Sequence, residues 1–269
     1  MEMAEAEEAP ALARMGAFSG TVRLVGVSGA AGETMLLWAL GQPAAQPQNA
    51  FVRQAAHSLT LEACGRRLSL LQSPSSMAAP GVTGAVVWDS GVVLAKFLEH
   101  AVDSGRLALR GARVVELGAG CGLAGCVAAH LGADVLLTDL PDRLKLLRKN
   151  VDLNARDVRG SARVAELVWG DDADPDWLHP PPEFVIGSDV IYNEEAVDEL
   201  LITLRQLSWP HTTTIILAAE LRNDVVLECF LDAAMADFQV GCVEQDEWHP
   251  EFRSTRVALF ILVKKPSPP

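Results

Sequence analysis

Three runs of the sequence hold residue types that chemistry needs. The first, VVELGAGCGLAG from Val114 to Gly125, reads as a strand, a glycine turn and the start of a helix. Gly118 and Gly120 let a backbone turn tightly and come close to a ligand, and a helix start presents free N–H groups. The second, LLTDLP, puts Asp139 at the end of the next strand, where a carboxylate can take both hydroxyls of a ribose. The third, FVIGSDVIY, ends in Ser188, Asp189 and Tyr192. Asp189 can accept hydrogen bonds from an approaching amine. Tyr192, the only tyrosine in the chain, offers a ring face and a hydroxyl.

Glycine turns of this kind serve two ligand classes. One is a dinucleotide, whose pyrophosphate sits on the helix end. The other is S-adenosylmethionine, which carries an ammonium, a carboxylate and a sulfonium but no phosphate. Glu116, beside the turn, would oppose a pyrophosphate and suits the two positive charges, so it favours S-adenosylmethionine. Asp139 suits both ligands and does not discriminate. A glycine turn alone is weak evidence, and the plainer alternatives stay open: a turn with no ligand, Asp189 capping a turn, Tyr192 packing in the core. Trp88 and Trp169 read more readily as core aromatics than as ligand contacts.

These residues must be positioned by elements, and the pattern supplies them. Strand-like runs at 113–117, 134–138, 163–168, 184–188, 213–219, 238–244 and 257–263 alternate with helix-like runs at 123–131, 141–154, 194–207 and 223–235. Alternating β and α predicts a mostly parallel sheet covered on both faces. The last two strands, joined by a loop without helical period, are expected to pair antiparallel. Ligands of such sheets bind outside the carboxyl ends of the strands, which puts the glycine turn, Asp139 and Ser188–Tyr192 on one rim. Before them, WDSGVVLAKFLEHAVDSG has helical spacing, with Asp89 or Ser90 as its cap and Gly105 as its end. The expected organisation is a flexible tail over 1–18, a β-rich extension over 19–82 and the main α/β domain over 83–265. Within the extension, 57–73 predicts a hairpin turning at Gly65–Arg66, a second apolar stretch is TMLLWALGQ, and 43–50 is a linker.

Together, VVWDSGVVLAKFLE, VVELGAGCGLAG, LLTDLP, ELVWGDD and GSDVIY resemble, in type and order, the seven-β-strand family 16 protein methyltransferases. This group includes the valosin-containing-protein and methyltransferase-like 21 lysine methyltransferases. The resemblance runs from about Thr83 to Leu207 and more loosely to Val263. It implies a Rossmann-like class I methyltransferase sheet of seven strands, mostly parallel with an antiparallel last strand, plus the N-terminal β-rich extension. It implies S-adenosylmethionine as cofactor and a lysine of a non-histone protein as acceptor, with a chaperone, an AAA ATPase or a translation factor as the partner. By the same resemblance Trp88 packs near the methionine part, Gly118, Ala119 and Gly120 line the methionine and ribose, and Asp139 holds the ribose. Trp169 lies by the adenine, Ser188 lines the pocket, and Asp189 and Tyr192 place the acceptor lysine. A small-molecule methyltransferase and a non-catalytic scaffold on the same fold remain alternatives. The first 50 or so residues have no counterpart in the resemblance, and the region of AAELRNDVV and EQDEWHPEF is where such families diverge.

Composition narrows the partners. The chain has 269 residues and a formal net charge of −13, which disfavours general nucleic-acid binding. Its five cysteines include no CxxC pair, against a disulfide framework or structural zinc and for a reducing compartment. The apolar runs are strand length, so no membrane span is expected. The acidic N-terminus lacks the features of a signal or transit peptide. A monomer in the cytoplasm, and also in the nucleus, is expected. The six histidines fall in no motif, and the charged run 244–251 reads as a solvated loop, with an acidic lip for a basic substrate as the alternative.

Overall fold

In the computed structural model, residues 12–26, 31, 32, 35, 49–78 and 84–266 are described. In chain order the strands are β1 (Leu12–Met15), β2 (Phe18–Leu24), β3 (Ser58–Ala63), β4 (Arg66–Leu71), β5 (Arg113–Leu117) and β6 (Asp134–Asp139). They continue with β7 (Ser161–Glu166), β8 (Phe184–Ser188), β9 (Thr214–Glu220), β10 (Phe238–Val243) and β11 (Val257–Lys264). The main helices are α1 (Asp89–Asp103), α2 (Leu123–His130), α3 (Leu144–Leu153), α4 (Val197–Leu207) and α5 (Asp224–Asp237).

Among the described residues, nine strands form one sheet in the order β1-β2-β10-β11-β9-β8-β5-β6-β7. β7, β6, β5, β8 and β9 run parallel, while β11 pairs antiparallel with both β9 and β10. The inner strands β5, β6, β8 and β9 are buried almost end to end, as strands covered on both faces must be. The seven-stranded, mostly parallel sheet is thus present, with β1 and β2 added beyond β10. The chain leaves β5 towards β6 and β7, then returns to β8 on the other side. The crevice at the carboxyl ends lies at this reversal.

The N-terminal part departs from expectation. The tail was expected to reach residue 18, yet Leu12–Met15 is a strand paired with β2, and β2 pairs with β10 at Gly241, Cys242 and Val243. Burial is the cause: Met15, Phe18 and Val22 are at most 2% exposed, and the Phe18 ring lies 5.4 Å from that of Phe97 on α1. Burying a phenylalanine of this kind contributes about 2–3 kcal/mol. The hairpin around Gly65–Arg66 forms as β3 and β4 in a sheet of its own. Apart from Met35, TMLLWALGQ lies outside the described residues, as does most of the 43–50 linker.

Instead of joining the main sheet, the hairpin is held by two buried asparagines, Asn150 on α3 and Asn154 just after it. Asn150 accepts Leu71 N–H at 2.7 Å and donates to Leu71 O and Cys121 O, both at 3.0 Å. Asn154 bonds Ser69 N–H and O in the same manner. One helix therefore ties β4 to the glycine turn. The start of α1 also differs from the expected cap. Trp88 occupies the cap position without a side-chain bond, and Asp89 instead accepts the N–H groups of Ala50 and Phe51. Gly105, with φ of +71°, follows the helix end as the sequence implies.

Candidate active site

The turn after β5 is built by glycines that have no room for a side chain. Gly118 and Gly120 adopt φ of +57° and +54°, the left-handed region. A methyl group on Gly118 would come within 3.0 Å of Val190 Cγ1 and 3.2 Å of Trp169 Cζ2, and one on Gly120 within 3.2 Å of the Gly84 carbonyl. Asp139, at the end of β6, fastens the turn: its carboxylate accepts Gly120 N–H at 2.6 Å and Leu140 N–H at 2.8 Å. Burial pushes the Asp139 pKa up, against the two amide bonds that favour its anion.

A cavity of about 380 Å³ opens over this turn. Its wall includes Trp88, Gly118, Ala119, Gly120, Asp139 and Trp169, together with Ser188, Asp189 and Tyr192. The structure thus gathers nine of the ten residues expected at the site. The two tryptophans line the cavity instead of filling the core. Tyr192 stands at the mouth with 43% of its surface exposed.

Glu116 is the exception. It is 1% exposed and absent from the cavity wall. Its carboxyl points under the turn and accepts Gly125 N–H at 3.0 Å, a first-turn amide of α2. Burial pushes its pKa up from 4.5 to about 8, so near neutrality it is largely an uncharged hydrogen-bonding group. The expected meeting of this carboxylate with ligand charges is corrected: Glu116 braces the helix start from behind. The reading of 244–251 as a solvated loop is corrected in part, since Asp246 and Glu251 are exposed but others are not. Glu247 is buried, accepts Thr21 N–H at 2.9 Å and pairs with Arg106, and Glu244 pairs with Arg23, because β2 crosses over this segment. Neither residue reaches the cavity.

Asp189 follows β8 at φ of +56°, a conformation that aspartate tolerates better than most residues. Its side chain is 8% exposed and pairs with Arg222 Nη2 at 2.8 Å. Burial raises its pKa to about 6, opposed by Arg222 and reinforced by Glu220. Arg222 also binds Glu220 through Nε at 2.9 Å and lies 4.0 Å from the centre of the Trp88 ring. Sequence reasoning missed Arg222. The available signal was its place just past the carboxyl end of β9, on the same rim as the other motifs.

Cys121 and Cys126 are buried beside the turn, and burial pushes both thiols up to about 12, so neither is a nucleophile. Among the described residues, no His, Cys, Asp and Glu group could hold a metal ion, and no helix is long and apolar enough to cross a membrane.

The family profile described as lysine methyltransferase matches residues 73–234. The chain is 44% identical over 165 residues to protein N-lysine methyltransferase METTL21A of Danio rerio, covering 60% of this chain and 72% of that one. It is 34% identical over 216 residues to EEF1A lysine methyltransferase 3 of Mus musculus, covering 76% and 87%. Among solved structures, the T. thermophilus 16S rRNA N2 G1207 methyltransferase aligns with a TM-score of 0.49 at 16% identity, covering 77% of this chain and 50% of that one. With the cofactor-type turn, the sheet order and the rim carboxylates already in place, the chain belongs to the lysine methyltransferase family and is an S-adenosylmethionine-dependent protein-lysine methyltransferase.

Proposed function

We propose that the cavity brings a lysine of a translation factor to the cofactor, with Asp189 and Tyr192 placing the ε-amine. The observation that carries this reading is the cavity itself: a buried carboxylate and an exposed phenol share one wall system with the glycine turn and Asp139. The mouse relative is an EEF1A lysine methyltransferase, which favours a translation factor over a chaperone or an AAA ATPase. The catalytic unit is the 83–265 domain.

The residues present fit the cofactor. Gly118 and Gly120 leave a bare backbone cradle that any Cβ would fill, and Asp139 offers carboxylate oxygens at the strand end to the ribose hydroxyls. Ala119 lines the same stretch, Trp169 offers its ring to the adenine, Trp88 stands towards the methionine part, and Ser188 closes the wall before the acceptor motif. S-adenosylmethionine supplies an electrophilic methyl group on a sulfonium.

The chain's own residues do the rest. A lysine ammonium, with a reference pKa of about 10.4, must lose a proton before it can attack. The apolar parts of the wall lower that pKa. Asp189 works the other way if it is the amine's sole partner, so its part is to accept an N–H and fix direction. Alignment of this kind is worth roughly 7–11 kcal/mol in well-oriented systems. The test is incubation of the purified protein with labelled cofactor and cell lysate, then with purified EEF1A, followed by mass spectrometry. A methylated lysine in a translation factor is expected; label found only in small molecules refutes the reading.

A further inference from the structure

Arg222 is held by three independent contacts on the acceptor side of the cavity. Nη2 meets Asp189, Nε meets Glu220, and the guanidinium lies on the Trp88 ring. A guanidinium forked between two carboxylates and stacked on an indole has little freedom left. Both carboxylates are nearly closed off from water, at 8% and 6% side-chain exposure, while Arg222 keeps 32%. Asp189, meanwhile, sits in a left-handed conformation, with its N–H bonded to Ala218 O at 2.8 Å. Strained backbone of this kind persists only where neighbours over-determine it.

We propose that Arg222 is a positioning residue for methyl transfer: clamped by Glu220 and Trp88, it holds the Asp189 carboxylate as an anion aimed into the cavity. The inference rests on the reading of Asp189 as the acceptor-side residue. A carboxyl buried this deeply without a cation takes up a proton. It would then offer an O–H where the lysine needs an acceptor. The charged groups that act on Asp189 are Glu220, at the end of β9, and Arg222 just past it; Asp89 at the start of α1 interacts with Glu220, and Glu195, Glu199, Asp139 and Arg143 line other parts of the cavity wall. Arg222 is the cation that acts on Asp189, so it supplies the stabilising charge. Two carboxylates against one guanidinium still leave the cluster net negative, which suits an incoming ammonium.

Aspartate-selective ¹³C labelling of the full chain reads the Asp189 titration directly, with Asp189→Asn identifying the signal. The wild-type midpoint is expected near pH 6. Arg222→Gln is expected to raise it by about 1–3 pH units, the usual effect of losing an opposite charge at this range, and Arg222→Lys to restore most of the wild-type value. An unchanged midpoint in Arg222→Gln overturns the proposal, whether or not a protein substrate has been found. In the lysate assay, a midpoint near pH 8 leaves about a tenth of Asp189 ionised at pH 7, so Arg222→Gln turnover should fall about tenfold. That deficit narrows as pH rises, with S-adenosylhomocysteine affinity unchanged. Faster methylation with a lower KM in Arg222→Gln would instead mark Arg222 as a plug and overturn the proposal. A displaced midpoint with no methylated protein in any assay would refute the acceptor reading and still support the hold of Arg222 on Asp189.

Discussion

Glu116→Gln should make the protein less sensitive to alkaline pH. The Glu116 carboxyl is buried, and its pKa in the folded chain stands at about 8 against 4.5 for an unconstrained glutamate. Between those two pH values the folded state keeps a proton that the unfolded chain gives up. Unfolding therefore becomes steadily easier as pH rises through this window, and the full loss is present above about pH 8. A displacement of that size, at about 1.4 kcal/mol per pH unit, corresponds to a loss of about 5 kcal/mol. The glutamine amide has the same shape and can accept Gly125 N–H, as Glu116 does at 3.0 Å. It never ionises, so the variant escapes this loss. Urea unfolding of both proteins, followed by tryptophan fluorescence at about pH 5 and about pH 8.5, measures the difference. The variant should gain on the wild type by several kcal/mol across that interval, with cofactor affinity kept. Parallel pH dependences would refute the reasoning. A variant that folds but no longer binds S-adenosylhomocysteine would return Glu116 to the ligand, where the sequence first put it.

Asp139→Ala strands the N–H groups of Gly120 and Leu140 and removes the ribose acceptor; calorimetry with S-adenosylhomocysteine should show a loss of about 2–4 kcal/mol. Asp189→Ala and Tyr192→Phe should lower turnover in the labelling assay and leave S-adenosylhomocysteine affinity unchanged. An equal loss of affinity would move Asp189 into the cofactor site. Asn150→Ala leaves Leu71 N–H, Leu71 O and Cys121 O without a partner. Denaturant unfolding should register a cost of about 3 kcal/mol or more.

The legible parts of the sequence were those whose structure is decided locally. The run at Phe184–Ser188 is a strand at the very residues expected, because an apolar run between turn residues in a βα alternation has few other fates. The rim rule then placed Asp139, Ser188, Asp189 and Tyr192 together without any knowledge of distances. What failed was decided by distant partners. Leu12–Met15 follows an acidic, alanine-rich start and has no strand signal of its own; β2 and the burial of Met15 make it a strand. β7 lies two residues earlier than the 163–168 run suggested, because an edge strand is pinned by its neighbour's register: Asp134 faces Ser161. That releases Leu167 and Val168 into the cavity wall. Glu116 was placed at the correct strand end with its side chain on the wrong side of the turn. Arg222 meets Asp189 across 33 positions, a pairing that exists only once β8 and β9 lie side by side.

The order of strands at the far margin of the sheet bears on how the protein can be cut down for study. β10 would end the sheet with a row of bare amides and carbonyls at Gly241–Val243 if β2 did not cover it, and β1, four residues long, closes the series. Short outermost strands are poor templates for a second molecule. A version trimmed past Leu24 would keep every residue of the catalytic cavity, yet it would offer β10 to whatever strand drifts by, most often that of an identical molecule. Its failure would show first as turbidity rather than as lost chemistry.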